Sequence, residues 1–218
     1  MSETIVVFAA AFGLQYFIGA FVFGTLGLDG TGARAISDIV VEIGLGMSVI
    51  LWLRWAKSIP PSELGFPRKP LGDVGSGLLL GFGLLVTESI VGVILYAIVR
   101  AVLGHNPSSP PSPTELLNTR WVGFAVIAIV VCAPIGEEIL FRGFLYQGLR
   151  RRFAVMPAAM ISAGAFAFVH VYPLRILPIF ASGVLLALLY ERRRSILASI
   201  TAHATLNAIV VALYLARH

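Results

Sequence analysis

Long apolar runs alternate with short polar breaks along the whole chain. Seven runs stand out, at about 4–28, 36–56, 74–103, from 119 onward, 157–172, 174–190 and 196–216. A helix that crosses a bilayer takes about 20 residues. The pattern therefore predicts an all-α fold, a polytopic transmembrane bundle of about seven to eight helices. The fifth and sixth runs are short, which points to close packing or partial embedding. Two proline-rich stretches read as loops. One holds Pro60, Pro61, Pro67 and Pro70, the other Pro107, Pro110, Pro111 and Pro113. No repeat or soluble domain is visible, so 1–218 reads as one integral membrane domain, with N-terminal helices in 1–103. The opening segment, from Thr4, lacks a basic leader and a small-residue cleavage site, so it reads as a retained span.

Composition sharpens this picture. The 218 residues are 58% hydrophobic and 12% charged, with a mean hydropathy of +0.91. A soluble domain averages about 25% charged residues. Disorder is excluded, because it needs low hydrophobicity and high charge. A single cysteine, Cys132, excludes a disulfide-stapled fold. The net charge of +5 does not point to nucleic acid, because the basic residues cluster between apolar runs. With the loop after the second run placed in the cytoplasm, ten basic residues fall on cytoplasmic ends: Arg54, Lys57, Arg68, Lys69, Arg150, Arg151, Arg152, Arg192, Arg193 and Arg194. Five fall outside, namely Arg34, Arg100, Arg120, Arg175 and Arg217. This obeys the positive-inside rule with the N-terminus inside and the C-terminus outside. The expected location is the cytoplasmic membrane of a prokaryote. Trp52, Trp55 and Trp121 sit at run ends, as an aromatic belt would.

Charges at membrane depth are costly and usually functional. Glu42, Glu88, Glu137, Glu138 and Arg142 qualify. Glu138 and Arg142 are four apart and share a helix face, so Arg142 can hold Glu138 as an ion pair. Glu137 then points about 100° away and has no local partner. Pro134 and Gly136, just before, should kink or interrupt the helix. Glu42 and Glu88 read as structural. His170 ends one apolar helix; His203 and Asn207 share a face of another. A lone histidine in such a helix is more often a packing residue than a catalyst. Depth joins them: counted from the basic clusters at 1.5 Å per residue, Glu137 and His170 lie roughly 20 Å into the membrane, and His203 and Asn207 roughly 12 and 18 Å.

Glutamate and histidine without an evident nucleophile suggest activation of water. A carboxylate can act as general base and then general acid, and His170 could orient the same water. His203 and the Asn207 amide are suitable donors to an oxyanion. HExxH is absent, Asp29, Asp38 and Asp73 fall in loops or at helix ends, and Phe180-Ala-Ser182-Gly183 lacks the first glycine of a rhomboid motif. Ser182 reads as packing, with a pairing to His203 left open.

Three motifs, EExxxR at 137–142, FxxxH at 166–170 and HxxxN at 203–207, resemble in order and separation those of the CPBP (Abi) family. That family comprises CAAX prenyl endopeptidases of the Ras-converting type and bacterial bacteriocin-processing or immunity relatives. The resemblance covers about 121–213, less than half the chain. It implies a catalytic helical core over 119–216. It also implies Glu137 and His170 as water activators, His203 and Asn207 as oxyanion stabilisers, and Glu138 and Arg142 in support. No cofactor is favoured: Arg142 would repel a cation, and Arg142 and Asn207 are poor ligands. The alternative is a divalent metal such as zinc on Glu137, His170 and His203, with Glu138 also available. Expected partners are membrane lipid and a peptide or lipidated protein substrate. Two other classes stay open: a non-catalytic peptide-binding protein (immunity factor or scaffold) and a small proton-coupled transporter. A transporter would more readily show a repeat.

Overall fold

The computed structural model describes residues 2–25, 30–65, 70–107, 113–170 and 173–217. Leu28, Asp29, Pro67, Arg68, Lys69, Pro110, Pro111 and Tyr172, which carry parts of the sequence reading, lie outside these residues. Seven long helices run through the described residues: α1 Ser2–Thr25, α2 Gly30–Ala56, α3 Pro70–Leu103, α4 Val122–Arg150, α5 Val155–Val169, α6 Pro173–Arg193 and α7 Ile196–Leu215. No strand occurs among the described residues. Each helix follows one apolar run, so the bundle is all-α as expected. By length and composition α2, α3, α4, α6 and α7 can cross a membrane, and α5 is a shorter apolar helix of 15 residues. The protein is an integral membrane protein.

Neighbours in sequence pack in pairs: α1 on α2, and α5 on α6. Helix α3 lies against α6 and α7, and α2 against the middle of α4. The α3–α7 contact is close because Gly77 and Gly81 face Thr201 and Thr205; a Cβ at either glycine would run into a threonine side chain. Small residues let helix backbones approach where lipid supplies no hydrophobic drive. The outer face of α3 is apolar and exposed (Leu79, Phe82, Val86, Val93), which suits contact with acyl chains.

Helix α4 is the axis of the bundle. Every residue from 138 to 146 is buried. Its apolar side chains join Leu45, Val49 and Leu53 of α2, Phe166 of α5, Tyr190 of α6 and Ile196 of α7 in the main core. At the basic end, the turn Pro61–Leu64 tucks under this core. Leu64 is buried, Gln147 donates to the Glu63 carbonyl, Tyr190 to the Leu64 carbonyl, and the Ile196 amide to the Gly65 carbonyl. Part of the first proline-rich loop is therefore a packed element. Asp73 and Arg193 pair at 2.7 Å and tie the start of α3 to the end of α6.

Candidate active site

The site is built around an irregular α4. The expected kink at Pro134 and Gly136 takes another form. The helix continues, but π-helical turns at Ala128–Cys132 and Ile139–Tyr146 flank the short α-helical stretch Ala133–Glu138. Pro134 follows directly on the first π-turn, where the backbone ladder is already irregular. π-turns disturb the regular backbone ladder. Two carbonyls within them receive side-chain donors: Asn207 Nδ2 donates to Ile129 O at 2.8 Å, and Ser162 Oγ to Phe141 O at 3.1 Å. These bonds pin α7 and α5 to α4.

Four of the six expected residues meet. Arg142 Nη1 donates to Glu138 Oε1 at 2.7 Å, with side chains 1% and 0% exposed. Arg142 also donates to the Gly183 carbonyl of α6, and its guanidinium lies 4.4 Å from the Phe166 ring centre. His203 Nδ1 lies 3.0 Å from the same Glu138 oxygen. A carboxylate can only accept, so Nδ1 carries the proton of that bond. The bond turns Nε2 toward Glu137, 3.8 Å from its Oε2. Glu137 thus differs from Glu138 as the helix geometry predicted. Glu138 is tied down through Oε1, which Arg142 and His203 share, while Glu137 has no such bond; the Oε2 atoms of both are shielded and lack a hydrogen-bond partner. The partner missing from the sequence reading is His203 as a close neighbour.

The other two residues sit at the margin. His170 Nδ1 is 2.7 Å from the Phe166 carbonyl one turn back, and its ring packs edge-on against Phe166. Phe166 also packs against His203, so it stands between the two imidazoles. No hydrogen bond or ion pair joins His170 to Glu137 among the described residues. Asn207 lies one turn beyond His203 on α7, and its amide is engaged by Ile129. Ser182 is buried with no hydrogen-bond partner, so the serine–histidine pairing left open above is not formed.

The donors do not fit a metal ion as they stand. Among the described residues no three His, Cys, Asp or Glu side chains converge as ligands. Glu138 Oε1 is already occupied by Arg142 and His203, and the guanidinium beside it opposes a second cation.

One feature of the site was not legible in the sequence. Gly136 abuts Glu42 of α2 so closely that a Cβ there would overlap the Glu42 carbonyl. This contact carries Glu42 into electrostatic reach of Glu137. A glycine directly before the carboxylate pair was the available sign, but nothing in the sequence named its partner.

A helical membrane bundle that buries a carboxylate, an imidazole and an ion pair at its centre has the makings of an intramembrane hydrolase. Comparison with known proteins agrees. Residues 119–209 match the family described as type II CAAX prenyl endopeptidase Rce1-like. A Bacillus subtilis (strain 168) protein named "Putative membrane peptidase YdiL" is 28% identical over 187 residues, 84% of this chain and 73% of that protein. A Lactococcus lactis subsp. cremoris protein named "UPF0177 protein in abiGi 5'region" is 34% identical over 131 residues, 58% of this chain. The chain covers 55% of the length of that second relative. No solved structure matches. The CPBP resemblance read from the three motifs is borne out, and the family and the peptidase relative support an intramembrane protease.

Proposed function

We propose that this protein is an intramembrane endopeptidase that cleaves a peptide bond in a membrane-associated or lipidated peptide. One observation carries the reading: of two adjacent glutamates, Glu138 is tied through Oε1 to both Arg142 and His203, whereas Glu137 is tied to neither by a hydrogen bond and keeps a shielded oxygen 3.8 Å from His203 Nε2. Glu137 takes a proton from a water whose oxygen attacks the substrate carbonyl. The same proton then passes to the leaving amine as the C–N bond breaks. His203, as an imidazolium between Glu137 and Glu138, presents Nε2–H to the oxyanion, and the second amide hydrogen of Asn207 joins it. His170, its Nδ1–H held by the Phe166 carbonyl, leaves Nε2 to help shuttle the proton that Glu137 takes. Glu138 and Arg142 hold His203 in place. The protein sits in the cytoplasmic membrane of a prokaryote with its N-terminus inside and C-terminus outside, and prenylated CAAX tails are one candidate substrate.

The test is cleavage by the purified protein of a library of lipidated and unlipidated peptides, beside Glu137→Ala. Turnover by the wild type alone supports the enzyme; equal behaviour of the two removes it. A chelator arm reports on metal. A second reading, a peptide-binding protein without turnover, is favoured by one observation: one hydrogen of the Asn207 amide is already committed to Ile129. Peptide binding by both proteins with cleavage by neither would select it.

A further inference from the structure

We infer that Glu42 of α2 belongs to the site as a positioning residue, holding the second O–H of the water that Glu137 activates. The inference rests on the hydrolytic reading above. Three independent observations meet at this point. Glu42 Oε2 and Glu137 Oε2 are both shielded from solvent, and neither has a hydrogen-bond partner. The two side chains interact electrostatically across the α2–α4 contact. That contact depends on Gly136, which alone leaves room for the Glu42 backbone.

Two shielded acceptors without donors are rare in folded proteins and each calls for an explanation. Arg142 is not the donor: its Nη1 and Nη2 bond to Glu138 and Gly183, and its Nε reaches no acceptor. Among the described residues the groups facing Glu42 are Glu137, Asp38 of its own helix and the Cys132 thiol of α4, and none of them is a cation. One small molecule offers two donors at once, and that is water. Buried water is held where two or more polar groups converge. A water bridging Glu42 and Glu137 has both hydrogens directed to carboxylates and its oxygen lone pairs turned away from them. As its oxygen bonds to the substrate carbonyl carbon, the proton facing Glu137 moves to that residue. The proton facing Glu42 stays on the oxygen, so Glu42 orients the nucleophile and exchanges nothing.

The experiment compares Glu42→Leu and Glu42→Gln with wild type in proteoliposomes, using a membrane peptide that the wild type cleaves. Leucine removes the acceptor at similar size; glutamine keeps a carbonyl oxygen. We expect kcat to fall about ten-fold or more for leucine, as when a hydrogen bond to a charged group is lost, with KM unchanged. Glutamine should restore most of it. Wild-type kcat in the leucine variant, or an equal fall in both, would overturn the inference while leaving Glu137 catalysis standing. A second arm needs no activity. Melting temperatures of Glu42→Leu, Glu137→Leu and the double variant should be non-additive, because both side chains hold one water; additive shifts overturn the inference. If wild type cleaves nothing, the hydrolytic reading fails and the melting arm alone decides on the bridging water.

Discussion

Glu137 and Glu138 are neighbours in unlike surroundings: Glu138 Oε1 is shared by Arg142 and His203, while Glu137 faces the far nitrogen of that imidazole, 3.8 Å away. Exchange of Glu137 for Gln should lower kcat by about 10²–10⁴-fold, the range for losing a general base, and leave the melting temperature near wild type. Circular dichroism melts beside the cleavage assay check both halves. Glu138→Gln should behave in reverse order. It strands the Arg142 guanidinium in a site where that residue is 1% exposed, and breaking such a pair costs about 3–5 kcal/mol. A large drop in melting temperature is expected, with any loss of activity following from it. The contrast was legible in advance, because four-residue spacing selects Glu138 for Arg142 and turns Glu137 away. The third member of the cluster was not. That His203 bridges the two glutamates depends on how α7 docks against α4, which no local spacing encodes.

At the scale of elements, the two π-turns of α4 explain how distant helices are indexed to the site. Each contains a carbonyl that a side chain of another helix satisfies, Asn207 from α7 and Ser162 from α5. Asn207→Leu should therefore cost stability, about 1–3 kcal/mol for a buried carbonyl left without its donor. It should also impair turnover if the amide serves the oxyanion. Ser162→Ala should destabilise similarly while cleaving at the wild-type rate under conditions where it is folded; denaturation in a mild detergent and the peptide assay separate the two. Proline and glycine before the glutamates announced an irregularity, but not its kind. A break and a π-turn start from the same residues, and which one forms is decided by the helices packed alongside.

For the molecule as a whole, the apolar runs located all seven helices, because in a membrane the apolar run and the helix are one constraint; α2 begins six residues ahead of its run, at Gly30 rather than Ile36, and the fourth run carried no predicted end. Legibility was lower between the runs. The stretch 57–70 reads as a loop from its prolines, yet Leu64 is 2% exposed under the basic end of the bundle, held by carbonyl contacts that leave no mark in composition. The orientation is testable directly. With Cys132 replaced by Ser, Ser62→Cys should react with an impermeant thiol reagent only after cells are opened. His105→Cys should react in intact cells. The reverse pattern would invert the topology.

The wiring of Arg142 carries a lesson for descent. It touches α4, α5 and α6 at once, through Glu138, the Phe166 ring and the Gly183 carbonyl. Architecture therefore leans on Glu138 and Arg142, while Glu137, on the function proposed above, answers to chemistry. A lineage that abandoned hydrolysis but kept the scaffold would be free to let Glu137 drift and obliged to retain the two residues beside it.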